Sequence, residues 1–184
     1  MKYQLNITLT EDDYIAFNNF HAIESKQAQK TVKKSRTIMV CCLLALMVFV
    51  VIGSGWNTFS ATYIALLLLL TILLSLFFEK MMHHTVKTQV KLLKKTGKLP
   101  FDPNSCFEFY DDKLAESTPS KRTEQSYASL ERVCLIADRY ILLYNSSVGA
   151  YILPVAQVKT QVSYEEFWKF LCLKCKNIEQ YASK

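Results

Sequence analysis

The chain has 184 residues, of which 51% are hydrophobic and 21% charged, and its formal net charge is +6. The 42 residues 37–78 contain no Asp, Glu, Lys, Arg or His. A soluble fold of this size cannot surround so long an apolar run, so the composition excludes an ordinary soluble domain. The rest of the chain leaves room for at most one small globular domain.

Residues 1–36 are predicted to form an N-terminal strand and a helix. Apolar side chains alternate with polar ones, which is the pattern of a half-buried strand. These apolar positions are Tyr3, Leu5, Ile7 and Leu9. Thr10 followed by Asp13 resembles a capping box with Asp in the place of Glu, so a helix should begin near Glu11.

The charge-free run is long enough for two membrane-spanning helices. Residues 38–56 extend about 28 Å as a helix and residues 59–78 about 30 Å, which matches the hydrocarbon core of a bilayer. The segment Gly53-Ser54-Gly55-Trp56-Asn57 between them suits a tight reversal with its Trp at the interface. We predict a transmembrane helical hairpin over 37–78, with helices at about 37–56 and 58–78.

The positive charge lies on both sides of this hairpin. Residues 1–36 carry a net charge of +2, residues 79–98 carry +5, and residues 99–184 carry −1. The positive-inside rule therefore predicts that both termini face the cytoplasm. A nucleic-acid-binding protein more often carries its basic residues on the folded domain among aromatics, so no nucleic-acid partner is expected. We also expect no cleaved signal peptide.

Residues 79–98 are predicted to continue the second helix as a basic extension. Apolar residues recur at helical spacing, and Gly97 and Pro100 supply a C-cap and a stop. Lysines near anionic headgroups each contribute about 1 kcal/mol of attraction, although anchoring of the topology alone also explains them. The residues predicted to contact the membrane surface are Lys33, Lys34, Arg36, Lys80, Lys87, Lys91, Lys94 and Lys95.

Residues 99–184 are predicted to form a cytoplasmic β domain. Short apolar segments alternate with turn residues at a spacing typical of an antiparallel meander that curls into a small sandwich or barrel, which the N-terminal strand could complete. The predicted strands are 106–110, 113–118, 125–129, 133–137, 140–144 and 150–153.

A closing amphipathic helix is predicted to follow, with Ser163 and Glu166 as its capping box. Its apolar face comprises Tyr164, Phe167, Trp168, Leu171, Cys175 and Ile178. A curled sheet capped by a C-terminal helix is the plan of pleckstrin-homology-like domains. The predicted fold class is therefore an α+β membrane protein with a two-helix hairpin and a domain of this kind.

The order of these parts resembles the bacterial YcxB-like proteins. The segments that carry the resemblance are ITLTEDDY at 7–14, YILLY at 140–144, AYILP at 150–154 and EEFWKFL at 165–171. Tyr127 and Val155 depart from the pattern of that family, which often has Trp and a basic residue there. The resemblance implies two transmembrane helices, a pleckstrin-homology-like domain and the bacterial cytoplasmic membrane, and it implies no chemistry.

The residues favour a protein that is not an enzyme and holds no metal or cofactor. The three histidines, His21, His83 and His84, all lie outside the predicted β domain, and the four glycines form no phosphate-binding loop. Cys172 and Cys175 fall within the closing helix without a second ligand pair, which favours packing over zinc or redox chemistry. The six cysteines fit a reducing compartment.

Two functions follow as hypotheses. The first is a non-enzymatic integral membrane protein that presents a cytoplasmic protein-binding or lipid-binding domain, with the anionic bilayer and a protein or second copy as partners. The alternative is a membrane immunity protein that binds and neutralises a cognate bacterial toxin. Transport is disfavoured, since the apolar run contains no ionisable residue.

Overall fold

The computed structural model describes residues 1–95, 101–147 and 149–182, apart from the side chains of Ser60 and Lys94. The chain forms two compact units. The first, here called the β unit, comprises Met1–Phe17 and Leu93–Lys184, and the second, the helical unit, comprises Asn18–Leu92. The prediction of an α+β protein with two long apolar helices is confirmed.

The helical unit consists mainly of two long helices. A π-helical turn at Phe20–Glu24 precedes α2 at Lys26–Ser54, and α3 extends over Thr58–Lys95. The helix α1 at Glu11–Asn19 enters this unit from the β unit. Ser25 caps α2 because its Oγ accepts a hydrogen bond from the Ala28 N–H at 3.1 Å. The segments Lys26–Ser54 and Ala61–Leu93 are long and apolar enough to span a membrane.

The sharp reversal predicted between the helices is present at Gly55, whose positive φ of 68° favours glycine. Its N–H donates a hydrogen bond to the Val51 carbonyl, with an N···O distance of 2.9 Å, and this bond closes the last turn of α2. The predicted basic extension is helical as far as Lys95. Its predicted end at Gly97 and Pro100, together with Lys98, lies outside the described residues.

The described residues of the β unit form eight strands, with two short helices in the C-terminal part. The strands are β1 Tyr3–Thr8, β2 Asn104–Phe109, β3 Lys113–Ser117, β4 Arg122–Ser126, β5 Arg132–Ile136, β6 Tyr140–Tyr144, β7 Ala150–Pro154 and β8 Ile178–Tyr181. The helices are α4 Val155–Gln161 and α5 Tyr164–Lys174.

The strands form two four-stranded sheets. Sheet A has the order β1-β2-β3-β4 and is antiparallel throughout. Sheet B has the order β7-β6-β5-β8, in which β8 lies parallel to β5. The first strand of the chain thus completes sheet A by pairing Tyr3 with Phe109 and Thr8 with Asn104.

The core lies between the inner faces of the two sheets and α5. Phe109 and Phe167 meet edge to face with ring centroids 4.9 Å apart, and Tyr3 packs on Phe167 at 5.3 Å. The largest fully buried side chains of this core are Leu5, Ile7, Phe107, Phe109, Leu114, Ile141, Leu143, Leu153 and Phe167.

The capping box predicted before α1 is confirmed. The Asp13 carboxylate accepts hydrogen bonds from the Thr10 N–H at 2.9 Å and the Thr10 hydroxyl at 2.7 Å, and the Asp13 N–H donates to Thr10 Oγ1 at 3.2 Å. The other oxygen of Asp13 accepts from the Tyr140 hydroxyl at 2.9 Å. One carboxylate therefore caps the helix and ties it to sheet B.

Three predictions about the β unit are wrong in detail. The strand predicted at 125–129 is β4 at Arg122–Ser126, and Tyr127–Ser129 forms a 3₁₀ turn instead. Ser163 lies at the N-cap of α5 but makes no side-chain capping bond. Cys175 lies just beyond the last residue of α5, and Ile178 belongs to the parallel strand β8 rather than to a helix face.

Two glutamines of α4 cover the outer edge of β1. Gln161 accepts from the Asn6 N–H at 2.8 Å and donates to the Asn6 carbonyl at 2.9 Å. Gln157 does the same for Thr8, at 2.9 Å and 2.7 Å. Each side-chain amide thus takes the place of a peptide group of a neighbouring strand. We call this pair the glutamine clasp; it occupies an edge that would otherwise be open to another strand.

The glutamine clasp predicts a local loss of stability when it is removed. Gln157→Ala and Gln161→Ala each delete two hydrogen bonds to β1 without lowering helix propensity, so each should destabilise β1 by about 1 kcal/mol. Hydrogen exchange of residues 3–8 should accelerate roughly fivefold. Thr160→Ala is the matched control, since among the described residues the Thr160 hydroxyl bonds to the α4 backbone and not to β1. Unchanged exchange in both glutamine variants would contradict the role of the clasp.

Candidate functional site

The basic residues predicted to contact a membrane lie on the two long helices. Lys33 and Lys34 are exposed on α2 and Arg36 is half-buried there. The described lysine side chains of α3 are exposed and share one stripe, within about 80° of arc at about 100° per residue. They are Lys80, Lys87, Lys91 and Lys95. Lys94 belongs to the same helix, but its side chain is outside the described set.

A cleft of about 520 Å³ in the β unit is a second candidate site. It lies between strands of sheet A and strand β7 of sheet B, and the chain segments just after β1 and just before β2 form one wall. The lining residues used below are Tyr14, Phe101, Asp102, Ser105, Phe107, Glu116, Lys121 and Tyr151.

Aromatic rings form much of the cleft. Phe107 and Tyr151 meet edge to face across the two sheets, with centroids 5.6 Å apart and an interplanar angle of 72°. Tyr14 and Phe101 stack at 4.8 Å and 26°. The cleft is therefore lined by two aromatic pairs, one from the core and one from the wall.

Glu116 is a carboxylate on the core face of sheet A. It pairs directly with Phe107 across the strands, and Leu114, two residues before it, is fully buried on the same face. Ser105 Oγ donates a hydrogen bond to Glu116 Oε1 at 3.2 Å. Burial raises the pKa of Glu116, which outweighs the opposing effects of the Ser105 hydrogen bond and of Lys121.

Two further charged residues, Asp102 and Lys121, line the cleft. Asp102 accepts a hydrogen bond from Ser120 Oγ at 3.2 Å, and its charge adds to the rise in the Glu116 pKa. Lys121 is the cationic residue of the lining. Within the described ranges, neither Glu116 nor Asp102 forms an ion pair.

The cleft also affects Tyr151. Its hydroxyl donates to Gln125 Oε1 at 3.1 Å, which links β7 to β4. Burial raises the pKa of Tyr151, and the charge of Glu116 raises it further. The charge of Glu116 therefore reaches the Tyr151 hydroxyl.

Cys172 and Cys175 do not have the features of a redox pair. Cys172 is exposed on α5 and Cys175 is buried against the core. Burial raises the pKa of both thiols, that of Cys175 to about 11. Activated cysteines have a lowered pKa instead, so this environment favours the packing role predicted for the pair.

Comparison of the chain with protein-family models, with curated proteins and with solved structures gives no match. The resemblance to YcxB-like proteins therefore stays a prediction. The class that the structure defines is an α+β protein with two long apolar helices and two sheets in which antiparallel pairing dominates.

The sequence reasoning did not find Glu116, although the signal was present. Leu114 and Glu116 are two residues apart in the predicted strand 113–118, so both side chains lie on the same face of the strand. A buried Leu114 therefore places Glu116 on the buried face as well. The pattern of this strand does not reveal which residues form the opposite side of the cleft. That side comes from residues 9–17, 145 and 149–152, which are distant in sequence from β3.

The raised pKa of Glu116 predicts that Glu116→Gln and the wild type differ in stability in a pH-dependent way. The folded state holds this proton more tightly than the unfolded state, so folding is penalised as pH rises from the ordinary value of 4.5 through the native pKa. The penalty is complete above the native pKa and absent below 4.5. Glu116→Gln should therefore raise the thermal midpoint at neutral pH, and the gain should vanish in acid.

Thermal unfolding of the full chain in detergent micelles, from about pH 4 to about pH 8, measures this difference across the titration range of a carboxyl group. Glu131→Gln is the matched control, because Glu131 is an exposed carboxylate away from the cleft. A Glu116→Gln variant that is less stable than the wild type at neutral pH would contradict a desolvated carboxylate.

Proposed function

We propose that this chain is a non-enzymatic integral membrane protein that presents the β unit to the cytoplasm as a binding domain for a protein or lipid partner. The helical unit anchors the protein in the bilayer. The β unit supplies the binding surface.

The exposed apolar surface of the helical unit carries this proposal. Within the most apolar 18 residues of each helix, 6% of the residues are buried in Lys26–Ser54 and 11% in Ala61–Leu93. Phe49, Ile52 and Leu76 expose 72%, 78% and 74% of their surface. Full burial of one such side chain is worth about 1.5–3 kcal/mol, so a surface of this kind needs a cover, and lipid tails provide one.

The pairing of β1 with β2 supports two crossings rather than one. β1 precedes both long helices and β2 follows them, yet the two strands are neighbours in sheet A. The chain therefore leaves the β unit before the two long helices and returns to it after them. Two crossings return the chain to the side from which it started, and one crossing does not.

The basic residues support a cytoplasmic location for the termini. Lys33, Lys34 and Arg36 precede the charge-free run, and the lysine stripe of α3 follows it. The reversal at Gly55–Asn57 between the helices carries no charge. This asymmetry is typical of a hairpin with its tip outside, and the lysines are placed to meet anionic headgroups.

Cysteine labelling tests the proposed topology. In a background in which the native cysteines are replaced, Asn57→Cys places a thiol at the tip and Ser120→Cys places one in the β unit, and both positions are exposed. An impermeant thiol reagent should label Asn57→Cys in intact cells and Ser120→Cys only after permeabilisation.

The labelling has a built-in control, since both variants should label fully in detergent. Labelling of Ser120→Cys in intact cells, with Asn57→Cys protected, would reverse the orientation. Release of the unmodified protein from membranes by alkaline extraction would contradict integral insertion altogether.

A further inference from the structure

We propose that the cleft between the two sheets binds a cationic group, an ammonium or guanidinium, with Glu116 as its counter-charge. This inference rests on the proposed function, because it assigns a ligand class to the β unit as a binding domain. The group is carried either by a small amine or by a basic side chain of a partner protein.

The first argument is that the carboxylates on the two faces of sheet A differ in their ion pairing. The outward-facing carboxylates are paired: Glu108 accepts from Arg122 at 2.8 Å and Glu124 from Lys113 at 2.6 Å. Glu116 is the carboxylate that faces inward, and among the described residues its one direct partner is the Ser105 hydroxyl. Among the described residues the sheet thus pairs these outward-facing acids directly and leaves the inward-facing one without a direct ion pair, although the charge of Lys121 acts on it from within the cleft.

The second argument is the sign of the cleft's charge. The lining holds two carboxylates, Glu116 and Asp102, against the single ammonium of Lys121. An anionic ligand would meet two like charges in a partly desolvated space. A cation would instead offset the desolvation that disfavours the charged form of Glu116.

The third argument is the aromatic lining. Tyr14, Phe101, Phe107 and Tyr151 line the same cleft as the two carboxylates. Aromatic rings attract ammonium and guanidinium groups, and the attraction increases as water is removed. Aromatic rings combined with a carboxylate recognise a cation better than either does alone.

The fourth argument is size. A volume of about 520 Å³ lies within the usual range for small-molecule sites, roughly 300–1,000 Å³. It exceeds what an ammonium group alone would fill. The cleft therefore has room for the aliphatic stem that carries the charge, whose methylene groups can pack on the rings.

Binding of small probes to the full chain in detergent micelles tests the proposal. The probes are n-butylammonium, n-butylguanidinium, butyrate and butanol, observed by saturation-transfer NMR and titrated for affinity. The two cations should bind, while butyrate and butanol, which share the stem but not the charge, should not.

Glu116→Gln should weaken binding of the cations about tenfold or more, and Glu131→Gln should leave it unchanged. Binding to the wild type should also weaken as the pH falls and Glu116 takes up its proton. The thermal midpoint of Glu116→Gln, measured in parallel, shows that the variant is folded. Equal binding of butyrate, or unaltered cation binding by folded Glu116→Gln, would overturn the proposal.

A second pair of probes separates the two sources of the cation. Blocked lysine and blocked norleucine peptides differ only by the ammonium group. Tighter binding of the lysine peptide than of n-butylammonium indicates a protein partner, and equal binding of the two indicates a free amine; both outcomes support the ligand class. Failure of all cations to bind a chain with the expected topology would reject the ligand class and leave the membrane role standing.

Discussion

The pairing of β1 with β2 is the constraint on which the rest of the structure depends. It joins Tyr3–Thr8 to Asn104–Phe109, so that the whole helical unit is an insertion between two neighbouring strands of one sheet. An insertion that leaves a sheet and returns to it must close on itself. The charge-free run satisfies this requirement with two helices and a reversal at Gly55. The strand also supplies Leu5 and Ile7 to the core, so the strand that closes the insertion also stabilises the fold.

The cleft arises from the same strand geometry as the core. Along the inner face of sheet A, buried Phe109 and Leu114 give way to Phe107 and Glu116, and then to Ser105 near the end of the sheet. Side-chain alternation fixes which residues face inward, but it does not decide whether the facing sheet covers them. At this end the covering strand β7 contributes Tyr151, and the remaining space stays open. A polar pocket thus continues directly from an apolar core.

The sequence predicts the parts of this structure that depend on local patterns. The glycines of the reversal, the alternation in β1 and the Thr10–Asp13 cap each act within a few residues, and each appears as predicted. The charge-free run predicts the presence of the two long apolar helices but not their full length, since α2 begins at Lys26 and α3 extends to Lys95. Two features depend on distant partners and were missed, the short helix α4 and β8 with its parallel pairing to β5, and the polar strand β4 was predicted with the wrong bounds. The candidate site divides in the same way. The lysines follow from charge pattern alone, whereas Glu116 becomes a site residue only when segments about a hundred positions apart form its walls.

The glutamine clasp also bears on how the protein is made. Asn6 and Gln161 are separated by 155 positions, and both long helices lie between them. At a synthesis rate of about 5–20 residues per second, β1 leaves the ribosome roughly 8–30 seconds before the residues that cover its edge. Until β2 is made, about a hundred positions after β1, the strand has neither β2 nor α4 beside it, while the apolar helices are already emerging. Its unpaired edges remain open to other strands until these partners are made, so the order of synthesis sets the period in which β1 is most prone to misassembly.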